Sequence, residues 1–281
     1  MRVALLQSNA SDEPARNLPV MLGSIERAAQ GGAALWFSPE VSNCVSADRA
    51  HQGRVLRHET EDASLAALCR AAAEHRICLL IGSLALKGEG PDPRFVNRSF
   101  AIGADGRIIA RYDKIHMFDV AIDARETYTE SSGYRPGSAA VLARMDAVTI
   151  GMSICYDLRF AHLFRALAQA GAQILAVPSA FSSATGPDHW ETLLRARAIE
   201  TGCFVIAAAQ TGHHPAGAGR ARRISHGHSL VVDPWGRVLL DAGEAPGLHF
   251  ANLDLDLVAE TRRRLPALSH DRAFAPPSIG D

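Results

Sequence analysis

Val148-Thr149-Ile150-Gly151-Met152-Ser153-Ile154-Cys155 is an apolar run closed by a thiol, and Tyr156-Asp157-Leu158-Arg159-Phe160 leads the chain onward. The run reads as a buried strand. Leu163 and Leu167 then share one face of a helix predicted over Leu158–Gln169, a face that Ala170 continues. A strand followed at once by a helix is the repeating unit of an α/β protein. The thiol falls at the carboxyl edge of a sheet and close to a helix start, where the local field favours a thiolate. Cys155 is therefore a candidate nucleophile as well as a candidate core residue.

The same alternation extends in both directions. Val3–Gln7, Ala34–Phe37 and Ile77–Ser83 read as strands, and Pro14–Gln30 and Ser64–His75 as helices. Downstream, Ile174–Val177, Cys203–Ala209 and Leu248–Leu253 read as strands and His189–Thr201 as a helix. Ser99 to Ile109 and Ser229 to Leu239 echo each other: apolar strand, turn, Gly-Arg, apolar strand. Two similar halves, each supplying one sheet, would pack face to face with helices outside. The expectation is a four-layer αββα sandwich. No low-complexity linker divides the chain, so residues 1–281 are expected to form one domain, with an extended tail from about residue 265.

The 281 residues carry a formal net charge of −1 and are 47% hydrophobic, ample for a packed core. That charge balance gives no reason to expect nucleic acid or an anionic membrane surface. No run approaches the roughly 18 apolar residues of a membrane span. Five cysteines without paired spacing (Cys44, Cys69, Cys78, Cys155 and Cys203) argue against a disulfide framework and for a reducing, cytoplasmic setting.

A cysteine nucleophile needs a base, a cation and an oxyanion site. Glu40 follows Leu35-Trp36-Phe37-Ser38-Pro39, and Lys114 follows Ile108-Ile109-Ala110-Arg111-Tyr112-Asp113, so both also sit just past strands. Taken singly, such residues are usually solvated. Two long segments, Ile115–Tyr134 and Thr211–His226, are expected to be functional loops. The first holds His116, Phe118, Asp123, Glu126 and Glu130; the second holds His213, His214, Arg220, Arg222 and Arg223. His213-His214 and His226-x-His228 do not match zinc-ligand spacing, and neither phosphate-loop pattern occurs. No metal and no cofactor are expected.

Glu40, Tyr112-x-Lys114-x-His116 and Cys155-Tyr156-Asp157-x-Arg159-Phe160 appear in the order seen in the carbon–nitrogen hydrolase (nitrilase) superfamily, which the chain resembles over nearly its whole length. The likeness is most detailed through Pro178-Ser179-Ala180-Phe181, Thr185-Gly186-Pro187-x-His189-Trp190-Glu191, Arg195–Glu200 and Gly227-His228-Ser229, runs similar to the Nit branch. That branch contains ω-amidases and amidases of deaminated glutathione. The resemblance implies an αββα fold and a homodimer or larger homo-oligomer. It implies that Cys155 attacks an amide carbonyl and that Glu40 moves the protons. Lys114 and the backbone N–H of Tyr156 would stabilise the oxyanion, and Glu130 would orient the lysine. Arg159, Phe181 and Thr185 would face an α-keto acid carboxylate.

The implied activity is hydrolysis of a small-molecule amide through a thioester, with deaminated glutathione the first-choice substrate. Rival substrates are 2-oxoglutaramate and N-carbamoyl amino acids. Rival classes are a cysteine acyltransferase and a non-catalytic module with this fold. The chain departs from the family at Ala161-His162, where Pro-Glu is usual, and at Ala121–Glu126, where a glycine-rich turn is usual.

Overall fold

Alternation of side chains along each strand builds the layers. The computed structural model describes residues 1–122, 127–220 and 223–279. Its first half runs β1 (Arg2–Gln7), α1 (Pro14–Gln30), β2 (Leu35–Phe37), α2 (Arg49–Val55), α3 (Ala63–His75), β3 (Cys78–Leu86), β4 (Val96–Ile102) and β5 (Ile108–Asp113). A small hairpin follows, β6 (Asp119–Ala121) with β7 (Thr127–Thr129). The second half runs β8 (Val141–Met145), β9 (Val148–Met152), α4 (Ala161–Gln169), β10 (Ile174–Ala176), α5 (Gly186–Thr201) and β11 (Phe204–Ala207). It continues through the hairpin β12 (Thr211–His213) with β13 (Ile224–His226), then β14 (Leu230–Val232) and β15 (Val238–Asp241). β16 (Gly247–Asn252) and α6 (Asp256–Arg264) close the series.

Two six-stranded sheets result, ordered β16-β1-β2-β3-β4-β5 and β15-β14-β11-β10-β9-β8. In each, three parallel strands are followed by two antiparallel ones, and an antiparallel strand flanks the first. The two echoing sequence segments are the hairpins β4–β5 and β14–β15, the matching ends of the two halves. Val3, Leu5, Leu35, Phe37 and Leu80 point into a core shared with Ile150, Met152 and Ile174 of the second sheet. Ala4, Leu6, Trp36, Leu79 and Ile81 point the other way, against Met21 and Ile25 of α1 and Leu65 and Leu68 of α3. α4 and α5 cover the outer face of the second sheet. The architecture is the expected αββα sandwich.

Three expectations are corrected. The helix expected from Leu158 begins at Ala161; Cys155–Arg159 is a 3-10 turn. The two segments expected to lack structure each carry one of the small hairpins. α2 and β8 are additional, as is α6. Of the loop residues singled out in the sequence, Asp123, Glu126 and Arg222 lie outside the described residues. No described helix is long and apolar enough to cross a membrane.

Candidate active site

Glu40 is placed by a close approach of backbones. β2 ends at Phe37 and gives way to Ser38-Pro39, where proline cannot donate a further ladder bond. The turn then crosses β3 where its register with β4 shifts between Ile81 and Leu84. A Cβ on Gly82 would lie 2.0 Å from the Ser38 carbonyl oxygen, so only glycine admits this crossing. Ser83 fixes the turn: its Oγ accepts the Val41 N–H at 2.7 Å, and its own N–H reaches the Pro39 carbonyl at 3.2 Å.

Cys155 projects from a turn of rare backbone geometry, with φ +49° at a non-glycine residue. Asp157, fully buried, holds that turn. One carboxylate oxygen accepts the Ile154 N–H at 2.8 Å and the Tyr112 hydroxyl at 2.6 Å. The other accepts the His116 N–H at 3.0 Å and bonds His116 Nδ1 at 2.7 Å. The Cys155 N–H donates to Pro178 at 2.9 Å. Tyr112 and His116 flank Lys114, so one carboxylate couples the nucleophile turn of the second sheet to the lysine of the first. Among the described residues the Tyr156 N–H has no hydrogen-bond partner.

Lys114 leaves β5 with its N–H donated to the Asn97 carbonyl at 3.0 Å, and it is 2% exposed. Its ammonium donates to Glu40 Oε1 at 3.0 Å and to both Glu130 oxygens, at 3.0 and 2.8 Å. Glu130, in the 3-10 turn Glu130–Ser132, also accepts the Phe118 N–H at 2.7 Å. Asn97 Nδ2 donates to Glu40 Oε1 and the Ala180 N–H to Glu40 Oε2, each at 2.8 Å. Asn97 is a site residue that the sequence did not single out; only the β4 pairing register brings it here.

The electrostatics correct one expectation. Burial alone would raise the Glu40 carboxyl, but the Lys114 charge and the Ala180 and thiol hydrogen bonds outweigh it and hold the pKa below its ordinary value. Burial would lower Lys114, but Glu130 and Glu40 keep it well above its ordinary value. Burial pushes the Cys155 thiol up, and the Glu40 charge pushes it further, more than Lys114 pulls it down. The sulfur is therefore a neutral thiol at rest, not the thiolate expected from a helix start. The Glu40 charge that raises the thiol also makes that carboxylate the base for its proton at the moment of attack.

These groups form the floor of a cavity of about 370 Å³. The other candidates named from sequence, Glu130, Tyr156, Arg159, Phe181 and Thr185, line it too. Arg159 sits over the Phe181 ring at 5.7 Å and the Tyr156 ring at 5.9 Å, and contacts His189 Nδ1 at 3.2 Å. Two further arginines reach the cavity: Arg49 of α2, unremarked in the sequence, and Arg223, over the Tyr128 ring at 5.8 Å. Arg220 does not; it ion-pairs with Asp12 and Glu13 and ties its loop to the start of α1. With His51, those two carboxylates are the one three-ligand metal cluster among the described residues, and the Arg220 guanidinium already ion-pairs with both.

The carbon–nitrogen hydrolase family profile matches residues 2–263. The chain belongs to that family. This carbon–nitrogen hydrolase is 39% identical to the human protein named deaminated glutathione amidase, over 96% of this chain and 82% of that one. The structure of Saccharomyces cerevisiae Nit3, of branch 10 of the nitrilase superfamily, superposes with a TM-score of 0.83 at 28% identity, over 98% of this chain and 97% of that one. A variant of the Nesterenkonia sp. AN1 amidase superposes with a TM-score of 0.75 at 27% identity, over 95% of this chain and 98% of that one. In that structure acrylamide has added to the active-site cysteine. The hydrolase described here is of the Nit branch, and its chemistry is amide hydrolysis.

Proposed function

We propose that this hydrolase cleaves the amide of a small α-keto acid substrate, with deaminated glutathione as first choice, giving 2-oxoglutarate and cysteinylglycine. The observation that carries the reading is that Cys155, Glu40 and Lys114 line one cavity, with the Lys114 ammonium 3.0 Å from Glu40 Oε1. In the first step the Cys155 sulfur attacks the amide carbonyl while its proton passes to Glu40. Lys114 and the Tyr156 N–H meet the oxyanion. Glu40 returns the proton to nitrogen, the C–N bond breaks, and a thioester remains. Water then attacks the thioester, giving one proton to Glu40. The C–S bond breaks, and Glu40 restores the thiol.

Arg159 holds the keto-acid carboxylate, with Phe181 and Thr185 beside it. The identity to the human deaminated glutathione amidase supports the substrate. The proposal also includes one catalytic domain over residues 1–281, a homo-oligomer, and a reducing cytoplasmic compartment in keeping with five free cysteines.

Mass spectrometry after brief mixing with deaminated glutathione tests the chemistry. The expected result is an acyl adduct on Cys155 that disappears in Cys155→Ala. Adduct-free protein with full turnover in that variant refutes the mechanism. Release of ammonia from 2-oxoglutaramate at a higher kcat/KM would move the assignment to the ω-amidases.

A further inference from the structure

Arg49 is the first residue of α2, and its guanidinium is held in place with no carboxylate partner among the described residues. Nη1 donates to Gln52 Oε1 at 2.9 Å. Gln52 Nε2 in turn donates to the Tyr134 hydroxyl at 2.8 Å. The guanidinium lies over the Tyr134 ring, 4.8 Å from its centroid, closing a triangle of contacts. Gln52 and Tyr134 are 1% and 5% exposed, so the platform is rigid although the arginine itself faces solvent. A Cβ on Gly133 would lie 2.3 Å from Arg49 Nε, so the glycine is what lets the arginine lie flat there. Gly133 and Tyr134 follow directly from the Glu130–Ser132 turn, and both N–H groups bond the Glu130 carbonyl. The turn that presents Glu130 to Lys114 therefore also builds the seat of Arg49.

Among the described residues no carboxylate lies within ion-pair reach of Arg49, and its Nε and Nη2 donate to nothing. A guanidinium fixed by buried partners with a free donor edge is suited to a planar anion. Its place in the cavity wall says which part of a substrate it meets. Arg159 rests on Tyr156 and Phe181, beside Cys155, which keeps the acyl group. Arg49 rests on Tyr134, next to the Glu130 turn that meets Lys114 and, through it, Glu40, the base that hands its proton to the departing nitrogen.

We infer that Arg49 seats a carboxylate carried by the departing amine, and so selects amides whose leaving group is an amino acid or short peptide over those releasing ammonia or a neutral amine. This inference rests on the amidase reading above. It makes Arg49 a specificity-determining residue, set apart from the acyl-side Arg159.

The test compares deaminated glutathione with its C-terminal carboxamide, which has the same acyl part and the same scissile bond but a neutral leaving group. The wild-type enzyme is expected to prefer the acid in kcat/KM by about 10- to 100-fold, the range of one charge-assisted contact. Arg49→Gln is expected to bring that ratio to within about twofold of unity, mainly through KM for the acid, with Arg49→Lys intermediate. An unchanged ratio in Arg49→Gln, or no preference in the wild type, overturns the inference while leaving the amidase reading intact. If the wild type turns over neither compound, the substrate reading falls and the inference falls with it.

Discussion

The floor of the cavity and its rim handle charge in opposite ways. On the floor, Lys114 meets Glu40 and Glu130 at 3.0 Å or less, and all three are held by further hydrogen bonds. At the rim, Arg49, Arg159 and Arg223 lean on an amide, an imidazole and aromatic rings, with no carboxylate partner among the described residues. Floor charges are fixed before anything binds, which suits a reaction whose charge development is always the same. Rim charges stay available, which suits selection among substrates that share one bond to be broken.

Floor substitutions should damage turnover of every substrate, and rim substitutions should sort substrates by charge. The largest effect is expected for Cys155→Ala, with kcat down at least about 10⁴-fold for carboxylated and neutral amides alike in steady-state assays. Glu40→Gln should lower kcat by about 10²- to 10⁴-fold, again without regard to substrate charge. A loss confined to carboxylated amides would move Glu40 from the floor to the rim.

Asp157→Asn probes the link between nucleophile and lysine. It keeps the shape but loses the charge that binds Ile154, Tyr112 and His116 together. A fall of about 10- to 100-fold in kcat with little change in KM is expected, as misplacement of a reacting group gives. A change in KM alone would assign Asp157 to substrate binding. For Arg159→Ala, KM for carboxylated amides should rise about tenfold more than KM for neutral ones. Equal increases would remove the carboxylate-binding role.

The last effect concerns stability. His214 is buried between the Ala10 carbonyl and Ser225 Oγ, both at 2.8 Å. Burial lowers its pKa to about 4, against 6.5 for an ordinary imidazole. Between those values the unfolded chain binds the proton that the folded one refuses, so stability falls as pH drops through that window. From pH 6.5 to pH 5 this amounts to about 2 kcal/mol at most. Urea midpoints should shift less over that range in His214→Gln. Equal shifts would acquit the imidazole.

What the sequence disclosed follows the same division. Glu40, Lys114 and Cys155 each end an apolar strand, and strand ends can be read from hydropathy and proline. Their convergence needed the family resemblance, because no local pattern says that two sheets face each other. Asn97 and Tyr134 were hidden, since their roles depend on strand register and a turn far away in sequence. Arg49 was hidden differently: Arg49-Ala-His-Gln-Gly-Arg-Val55 has no apolar period to betray a helix. The protonation of Cys155 was misjudged because position at a strand end is visible in sequence, whereas burial beside a net negative cluster is not.

β16 gives the order of events in synthesis a consequence. The edge of the first sheet beside β1 is closed by residues 247–252, and Leu248 and Phe250 also pack against the outer core. While the ribosome is still translating the second half, β1 to β5 can emerge and pair, but the edge of β1 stays open. Val3, Ala4 and Leu5 are then an unpaired apolar ribbon, the kind of surface that recruits a neighbouring nascent chain. The last strand made thus ends the vulnerability of the first. A polysome crowded with half-finished copies is where this fold is most exposed to misassembly.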